Sequence, residues 1–565
     1  MSLGDYTHNH NQLRTELKAT REKLVGALDR YADLCLIVRN THHHTSFKDI
    51  QLAGFSWSDV ASELLHLSLL HTRLQEAAKH LNRAYELGQA RSHSGYSHPI
   101  NKLPDEILAH VFRFAGAIRP QDSPSTRESS TKLFPQCPDS LAQTCARWRQ
   151  VALTCSSLWT RIHLASHPTH FDSILDHAKL HVERAGHHSL ELYIVDIRDV
   201  VDHDLASNID DLEQFIASIA PRTNSLEIVR SGLYTSEFEK KSLAGILRGC
   251  SESFTTLAVR SRDLYRPGYI KPLDNSNKDW DMAVDLSPEQ IERGLAHLIV
   301  LHASEISPTW SSTAYRGLVD LRLVPNYQST LECPTINASE FIAILKASPR
   351  LRILHFGIHL CFSHALSTDK VKVQLNDLEV LYLSASENHS PEDTGREIQY
   401  IIRHITPGKK PLRLTLGRAR CWTLSSLKRM KAFFTKSRIV KFCAKRGTPP
   451  PVELLDCAPR LTHLVFNGCR YDKTYDFEHG PSRITRLNSW IIQDSLIYTE
   501  DIEPLLGQYS AKSYIMSNCR FFAKYDGPLE IAYPDLGDWD RELPSFVQYS
   551  PGPSPDPTAD WNILD

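Results

Sequence analysis

Apolar side chains recur at three- and four-residue spacing in two N-terminal stretches. In residues 11–40 they are Leu13, Leu17, Leu24, Leu28, Tyr31, Leu34 and Val38; in residues 59–90 they are Val60, Leu64, Leu67, His71, Leu74, Ala78, Leu81 and Tyr85. Each stripe predicts an amphipathic helix. The polar run NTHHHTSFKD between them predicts a loop, so residues 1–97 are expected to form a helical hairpin or a short coiled coil. A third stripe lies in NKLPDEILAHVFRFA, residues 101–115, where Leu103, Ile107, Leu108, Val111 and Phe112 share a face. Pro104 suits the first helical position, and Asp105 and Glu106 place negative charge where the helix dipole favours it. After a Ser-, Pro- and charge-rich stretch at 116–140, expected to be a loop, helical spacing returns in LAQTCARWRQVALTCSSLWTRIHL. There Leu141, Cys145, Trp148, Val151 and Ala152 line one side, and Leu158 and Trp159 follow a turn.

Beyond residue 165 the period changes. The pattern L-x-x-L-x-L marks short strands at LVDLRL (318–323), LRILHF (351–356), LEVLYL (378–383) and LTHLVF (461–466). Weaker copies are LEIVRS, FTTLAV, LAHLIV, PLRLTL, RIVKF and RITRLN, beginning at residues 226, 254, 295, 411, 438 and 483. Apolar helical segments precede the clearest copies: SEFIAILKASPR, EIQYIIRHITPGKK, SSLKRMKAFFTKS and PVELLDCAPR. A unit of helix, Pro-containing turn and strand, repeated at about 20–30 residues, is the period of leucine-rich repeats. The predicted fold class is α/β: a helical N-terminal part followed, over 166–525, by an irregular leucine-rich-repeat solenoid with parallel strands on the concave side and helices outside. The competing architecture, a doubly wound sheet, is weakened because no Gly-rich phosphate loop follows a strand. In L-x-x-L-x-L the leucines point into the core and the intervening residues point away. This alternation makes Asp320, Arg322, His355, Tyr382, Arg413 and His463 the candidate ligand-facing residues.

The Leu-Pro-initiated helix, the loop and the helix with C-x-x-W-R-x-x-A ending in S-L-W together resemble an F-box of the form found in fungal F-box proteins, at about 98–165. The matching segments are LPDEILAHVF and LAQTCARWRQVALTCSSLWTRI. The 116–140 insertion and Cys145-Ala146-Arg147, where the family more often has Cys-Arg-Arg, depart from the pattern without removing an apolar anchor. The resemblance implies docking on a Skp-family adaptor and, through it, a cullin–RING ubiquitin ligase. A module this small cannot bury all its apolar side chains against itself. The implied adaptor-binding residues are Leu103, Pro104, Ile107, Leu108, Val111, Phe112, Leu141, Cys145, Trp148, Val151, Leu158 and Trp159. The expected role is recruitment of a protein substrate to an SCF-type ligase, without catalysis by this chain. The alternative is an interaction scaffold that does not direct ubiquitination.

Composition changes this picture little. The chain has 565 residues, 41% hydrophobic and 23% charged, with net charge −2, which gives no reason to expect nucleic acid or membrane partners. Neither a signal peptide nor an apolar spanning segment is present, so a cytoplasmic or nuclear location is expected. The twelve cysteines include no C-x-x-C pair, as for reduced thiols. Neither THHHT at 41–45 nor PGKK at 407–410 has the partners of a metal site or a phosphate loop, and no catalytic, cofactor or metal residues are predicted.

Charge is uneven along the chain, however. No acidic residue stands between Glu397 and Glu453, while that interval holds Lys410, Arg413, Lys431, Lys441 and Lys445 among other basic residues. The last stretch, 526–565, is acidic and proline-rich with Arg541 its one basic residue, yet carries Tyr533, Trp539, Phe546 and Trp561. A tail of this composition is expected to fold back over the basic repeats.

Overall fold

The computed structural model describes scattered positions between Glu16 and Tyr31, then 99–117, 138–522 with interruptions (the longest at 197–208, 326–333, 363–370 and 470–486), 546–550 and 556–562. It divides into two compact units, Met1–Pro104 and Asp105–Asp565. In the first, the described positions between 16 and 31 are helical and Pro99–Lys102 forms a 3-10 turn. The remainder of the predicted hairpin lies outside the described residues.

The second unit begins with three helices, α1 (Asp105–Ala117), α2 (Asp139–Thr144) and α3 (Ala146–Thr154). Pro104 stands one residue before α1, and the ends of the predicted 116–140 loop are helical; its middle is outside the described residues. A 14-stranded sheet follows. Its strands are β1 (Arg161–Ala165), β2 (Leu190–Val195), β3 (Thr223–Arg230), β4 (Thr256–Ser261), β5 (Val300–Ala303), β6 (Asp320–Leu323) and β7 (Ile353–Phe356). They continue as β8 (Val380–Ser384), β9 (Leu412–Gly417), β10 (Ile439–Lys445), β11 (His463–Asn467), β12 (Ser489–Gln493), β13 (Tyr514–Ser517) and β14 (Val547–Ser550).

Every neighbouring pair in this sheet is parallel and the spatial order is the chain order. A doubly wound sheet reverses its order at a switch point. This sheet does not, because each excursion returns the chain to the next position along the same edge. The long interval between β4 and β5 supplies Gly268–Pro272 and Met282–Val284, which join Ile306–Pro308, just after β5, in a small three-stranded sheet.

Helices occupy many crossovers: Phe171–Arg184 precedes β2, Glu237–Gly249 precedes β4, Ala338–Ala347 precedes β7, Leu424–Lys436 precedes β10. Their starts are written in the sequence. Ser236 with Glu239, Ser287 with Gln290 and Asn337 with Glu340 form capping boxes that satisfy otherwise orphaned amides. One continuous core joins these helices to the sheet. The first leucine of each clear repeat, Leu318, Leu351, Leu378 or Leu461, is buried just ahead of its strand, and the later apolar pair (Leu321 and Leu323, or Leu354 and Phe356) is buried within it.

The strands therefore begin at the third position of L-x-x-L-x-L rather than the first. LAHLIV is a larger departure, since Leu295 ends the helix Pro288–Leu295 and the strand starts at Val300. RITRLN lies mostly outside the described residues, and the strand of that region is SWIIQ of β12. Val547–Ser550, within the acidic, proline-rich last stretch, closes the sheet as β14.

One polar contact inside this core makes a stability prediction. Arg230 and Glu239, each with 1% side-chain exposure, meet at 3.3 Å, and the same Glu239 oxygen accepts from the Ser236 amide at 3.1 Å. Glu239→Ala removes a carboxylate partner of the buried Arg230 guanidinium and one half of the capping box. A loss of about 3–5 kcal/mol is expected, read as a shift in the denaturant midpoint.

Candidate functional site

Two surfaces carry the candidate residues, the helical module and the face of the sheet turned away from the helices. In α1 two apolar stripes run side by side. Leu108 and Phe112 are buried, with the Phe112 ring tilted at 58° against Trp148 of α3 at 4.9 Å between ring centroids. Ile107, Val111 and Phe114, at i, i+4 and i+7, are 47%, 39% and 74% exposed. The helix is thus pinned by one stripe and leaves the other to solvent.

Arg147 fixes its start by a fork to Asp105 Oδ1, at 3.0 Å from Nε and 2.6 Å from Nη2. This gives Arg147, next to the departure from the family pattern, a structural task. Cys145 caps α3, its Sγ accepting from the Trp148 amide at 3.4 Å. Trp159 is fully buried in the core of the sheet, where its Nε1 donates to the Ala152 carbonyl at 2.8 Å and Arg184 covers its ring at 4.2 Å.

The twelve residues expected to meet an adaptor therefore divide. Pro104, Ile107, Val111 and Cys145 are exposed; Leu103, Leu141, Trp148 and Leu158 are half-buried. Leu108, Phe112, Val151 and Trp159 are buried within the chain. Their side chains pack inward and help hold the module's shape. Phe114 and Leu153, 74% and 43% exposed, were not anticipated. The signal that could have found Phe114 is the second helical stripe it completes with Ile107 and Val111.

Residues 100–165 match the F-box-like family. The helical module is an F-box-like domain. F-box domains bind Skp-type adaptors in cullin–RING ligases, and they are typical of non-catalytic subunits. No curated protein matches the chain.

Where the F-box-like domain meets the sheet, Asp139 of α2 accepts from His177 and His181, its Oδ2 lying 2.9 and 3.3 Å from their Nε2 atoms. These three ligand atoms lie within 4.8 Å of one another, and this is the group among the described residues that could hold a metal ion. No metal site was expected there; the i, i+4 histidine pair on Phe171–Arg184 is the sequence signal for it.

On the sheet, register gathers the candidate ligand-facing residues. Arg322, His355, Tyr382, Thr415, Cys443 and Val465 pair across β6 to β11 in one row; Asp320, Ile353, Val380, Arg413, Lys441 and His463 form the row beside it. All six candidates thus share one face, but not one function. Asp320 is nearly buried and already engaged, accepting from Arg322 at 2.8 and 2.9 Å with His302 at 3.2 Å. His355 is buried, and only Arg322, Tyr382, Arg413 and His463 retain partial exposure.

Burial raises the Asp320 pKa, but the bonds from His302 and Arg322 outweigh it and bring it to about 2. A carboxylate whose folded pKa lies below its unfolded value contributes stability above the unfolded pKa and loses it as pH falls through the folded one. Thermal stability should therefore fall between about pH 4 and pH 2, and Asp320→Asn should flatten that part of the profile.

The basic interval divides as well. Lys410 pairs with Glu379 and Asp377, and Lys431 with Glu453. Arg413, Lys441 and Lys445 instead meet the C-terminal segment Asp556–Asn562, which lies over β9–β11. Lys445 Nζ is 2.7 Å from Asp556 Oδ2, Lys441 Nζ is 3.5 Å from Asp560 Oδ2, and Arg413 Nη1 donates to the Trp561 carbonyl at 2.9 Å. The Trp561 ring is buried on Cys443 and Val465, with Ile491 beside it. Of the expected fold-back, the described segment 556–562 makes these contacts with the basic strands. Tyr533 and Trp539 lie outside the described residues.

Proposed function

We propose that this protein is a non-catalytic F-box adaptor that recruits a protein substrate to an SCF-type cullin–RING ubiquitin ligase. The observation that carries the reading is the F-box-like match at 100–165 together with an α1 stripe, Ile107–Val111–Phe114, left exposed among the described residues. Soluble domains rarely leave aligned large apolar side chains in water unless a partner covers them.

The sheet is read as an irregular leucine-rich-repeat solenoid, supported by parallel strands in unbroken chain order and by buried leucines at corresponding positions. Its open face is the substrate surface in this reading. The mechanism is positional: the F-box fixes one end to the ligase, the repeats hold a target, and proximity raises the target's concentration at the transfer site. A cytoplasmic or nuclear site of action accompanies this role. Among the described residues no helix is long and apolar enough to cross a membrane.

Reconstitution with adaptor, cullin, RING subunit and charged conjugating enzyme tests the proposal. Ubiquitin transfer to a protein captured by the repeats is the expected result. An intact adaptor complex that captures the protein and leaves it unmodified would assign the chain to scaffolding instead.

A further inference from the structure

The segment Asp556–Asn562 shows what kind of ligand the sheet face accepts. It offers an Asp at each end of a short turn and one Trp between chemically matched partners. The partners come from successive strands: Arg413 from β9, Lys441, Cys443 and Lys445 from β10, Val465 from β11. Lys441 serves twice, facing Asp560 and standing 5.5 Å from the Trp561 ring centroid. The result is an apolar slot for an indole, bordered by cations spaced to meet carboxylates on either side.

We propose that this face is a recognition site for an acidic peptide segment carrying an aromatic anchor, and that the chain's own C-terminal segment occupies it in cis as a displaceable surrogate. This deepens the reading of the sheet as a substrate surface and rests on it only for calling the partner a ubiquitination target.

Three observations favour a displaceable occupant over a permanent strap. First, the ionic contacts are open to water: the side chains of Lys445 and Asp556 are 28% and 39% exposed, those of Lys441 and Asp560 22% and 68%. Pairs so exposed contribute little each and weaken with salt. Second, the segment is tethered a few residues beyond β14, which gives it an effective concentration of about the millimolar order. A weak intrinsic affinity is then enough to seat it, and a partner with more contacts can replace it. Third, the segment does not fill the face. A cavity of about 330 Å³ remains beside it, reaching past Tyr382 and His355 to Arg322 and Arg260 on the preceding strands. A longer acidic ligand has room to run there.

The tail is therefore a built-in competitor. It covers the tryptophan slot and the cations when no partner is present, and it sets the threshold that a partner's affinity must exceed.

The test uses a fluorescein-labelled peptide, PGPSPDPTADWNILD, added in trans to two full-length proteins: wild type and an Asp556→Asn, Asp560→Asn, Trp561→Ala variant that keeps β14. We expect the variant to bind the peptide at least tenfold more tightly than wild type, where the cis segment competes. Binding should weaken on raising NaCl from about 50 to 500 mM, be lost with a Trp→Ala peptide, and be lost when Lys441→Ala and Lys445→Ala are added to the variant. A variant that keeps its circular dichroism and melting transition yet does not bind the peptide would overturn the proposal, as would equal affinity for both proteins.

Hydrogen exchange on the wild-type chain covers the case in which the variant does not fold. The Ala559 and Trp561 amides, bonded to Asp556 and Thr558 carbonyls, should exchange much faster than amides of β9–β11. Equal protection would mark the segment as a permanent strap and contradict the proposal. Because no adaptor is present in either experiment, failure here leaves the F-box assignment untouched, and failure of adaptor binding leaves this site untouched.

Discussion

Replacing Ile107 and Phe114 together by Asp is expected to weaken binding to a Skp-family adaptor by at least about 30-fold while leaving the melting temperature nearly unchanged. Both side chains are exposed on the free chain, so their loss removes little internal packing. At an interface the same groups are aromatic and aliphatic anchors, where truncation commonly costs about 2 kcal/mol or more. Introducing a carboxylate adds the cost of burying a charge against an apolar partner surface. Leu108→Ala on the same helix should behave in the opposite way. Leu108 is fully buried, so this change should cost about 2–5 kcal/mol of stability through the cavity it leaves. Calorimetry with the adaptor and thermal melts of both variants separate the two effects. Equal losses of stability would mean that the stripe belongs to the fold and not to an interface.

Trp159→Ala should be the most damaging single change to the F-box-like domain's footing on the sheet. The indole is completely buried, its N–H is satisfied by Ala152 at the end of α3, and its ring packs edge-on against His181 and beneath Arg184. Truncation removes a large apolar volume that rigid strands and helices on both sides cannot fill by collapse. It also leaves the Ala152 carbonyl without its donor. A loss of about 3–5 kcal/mol is expected, read from denaturant unfolding. Because Trp159 touches no solvent, the intrinsic adaptor affinity of the remaining folded fraction should change much less. A destabilisation below about 1 kcal/mol would show that the junction is more plastic than its packing implies.

Much of this molecule could be read from its leucines. In LRILHF the buried positions Leu351, Leu354 and Phe356 are those the pattern assigns to the core, and His355 falls on the other face because side chains alternate along a strand. The strands β1, β2, β12, β13 and β14 were not anticipated, since RIHLA, LELYIV, SWIIQ, YIMS and VQYS do not complete the pattern L-x-x-L-x-L. They are strands because a neighbouring parallel edge offers them a ladder, a tertiary cause that no local pattern carries.

The site was legible to the level of a face. Alternation placed Asp320, Arg322 and Arg413 together, but pairing within the face decided their fates. Asp320 is neutralised by its own strand neighbour two residues on, whereas Arg413 reaches Trp561, 148 residues away. Charge asymmetry pointed to that region because an acidic and a basic run in one chain attract, as Lys441 with Asp560 and Lys445 with Asp556 do there. Phe114, which shares the exposed side of α1 with Ile107 and Val111, was missed for a different reason. A helix that is pinned on one side and docks on the other is apolar over most of its circumference, so one stripe alone is not its signature.

The most direct measurement is the binding of purified full-length protein to a Skp-family adaptor by titration calorimetry, with mass determination of the product. The account predicts a one-to-one complex with a dissociation constant below about 1 μM. A cooperatively folded protein that forms no complex at tens of micromolar would contradict it.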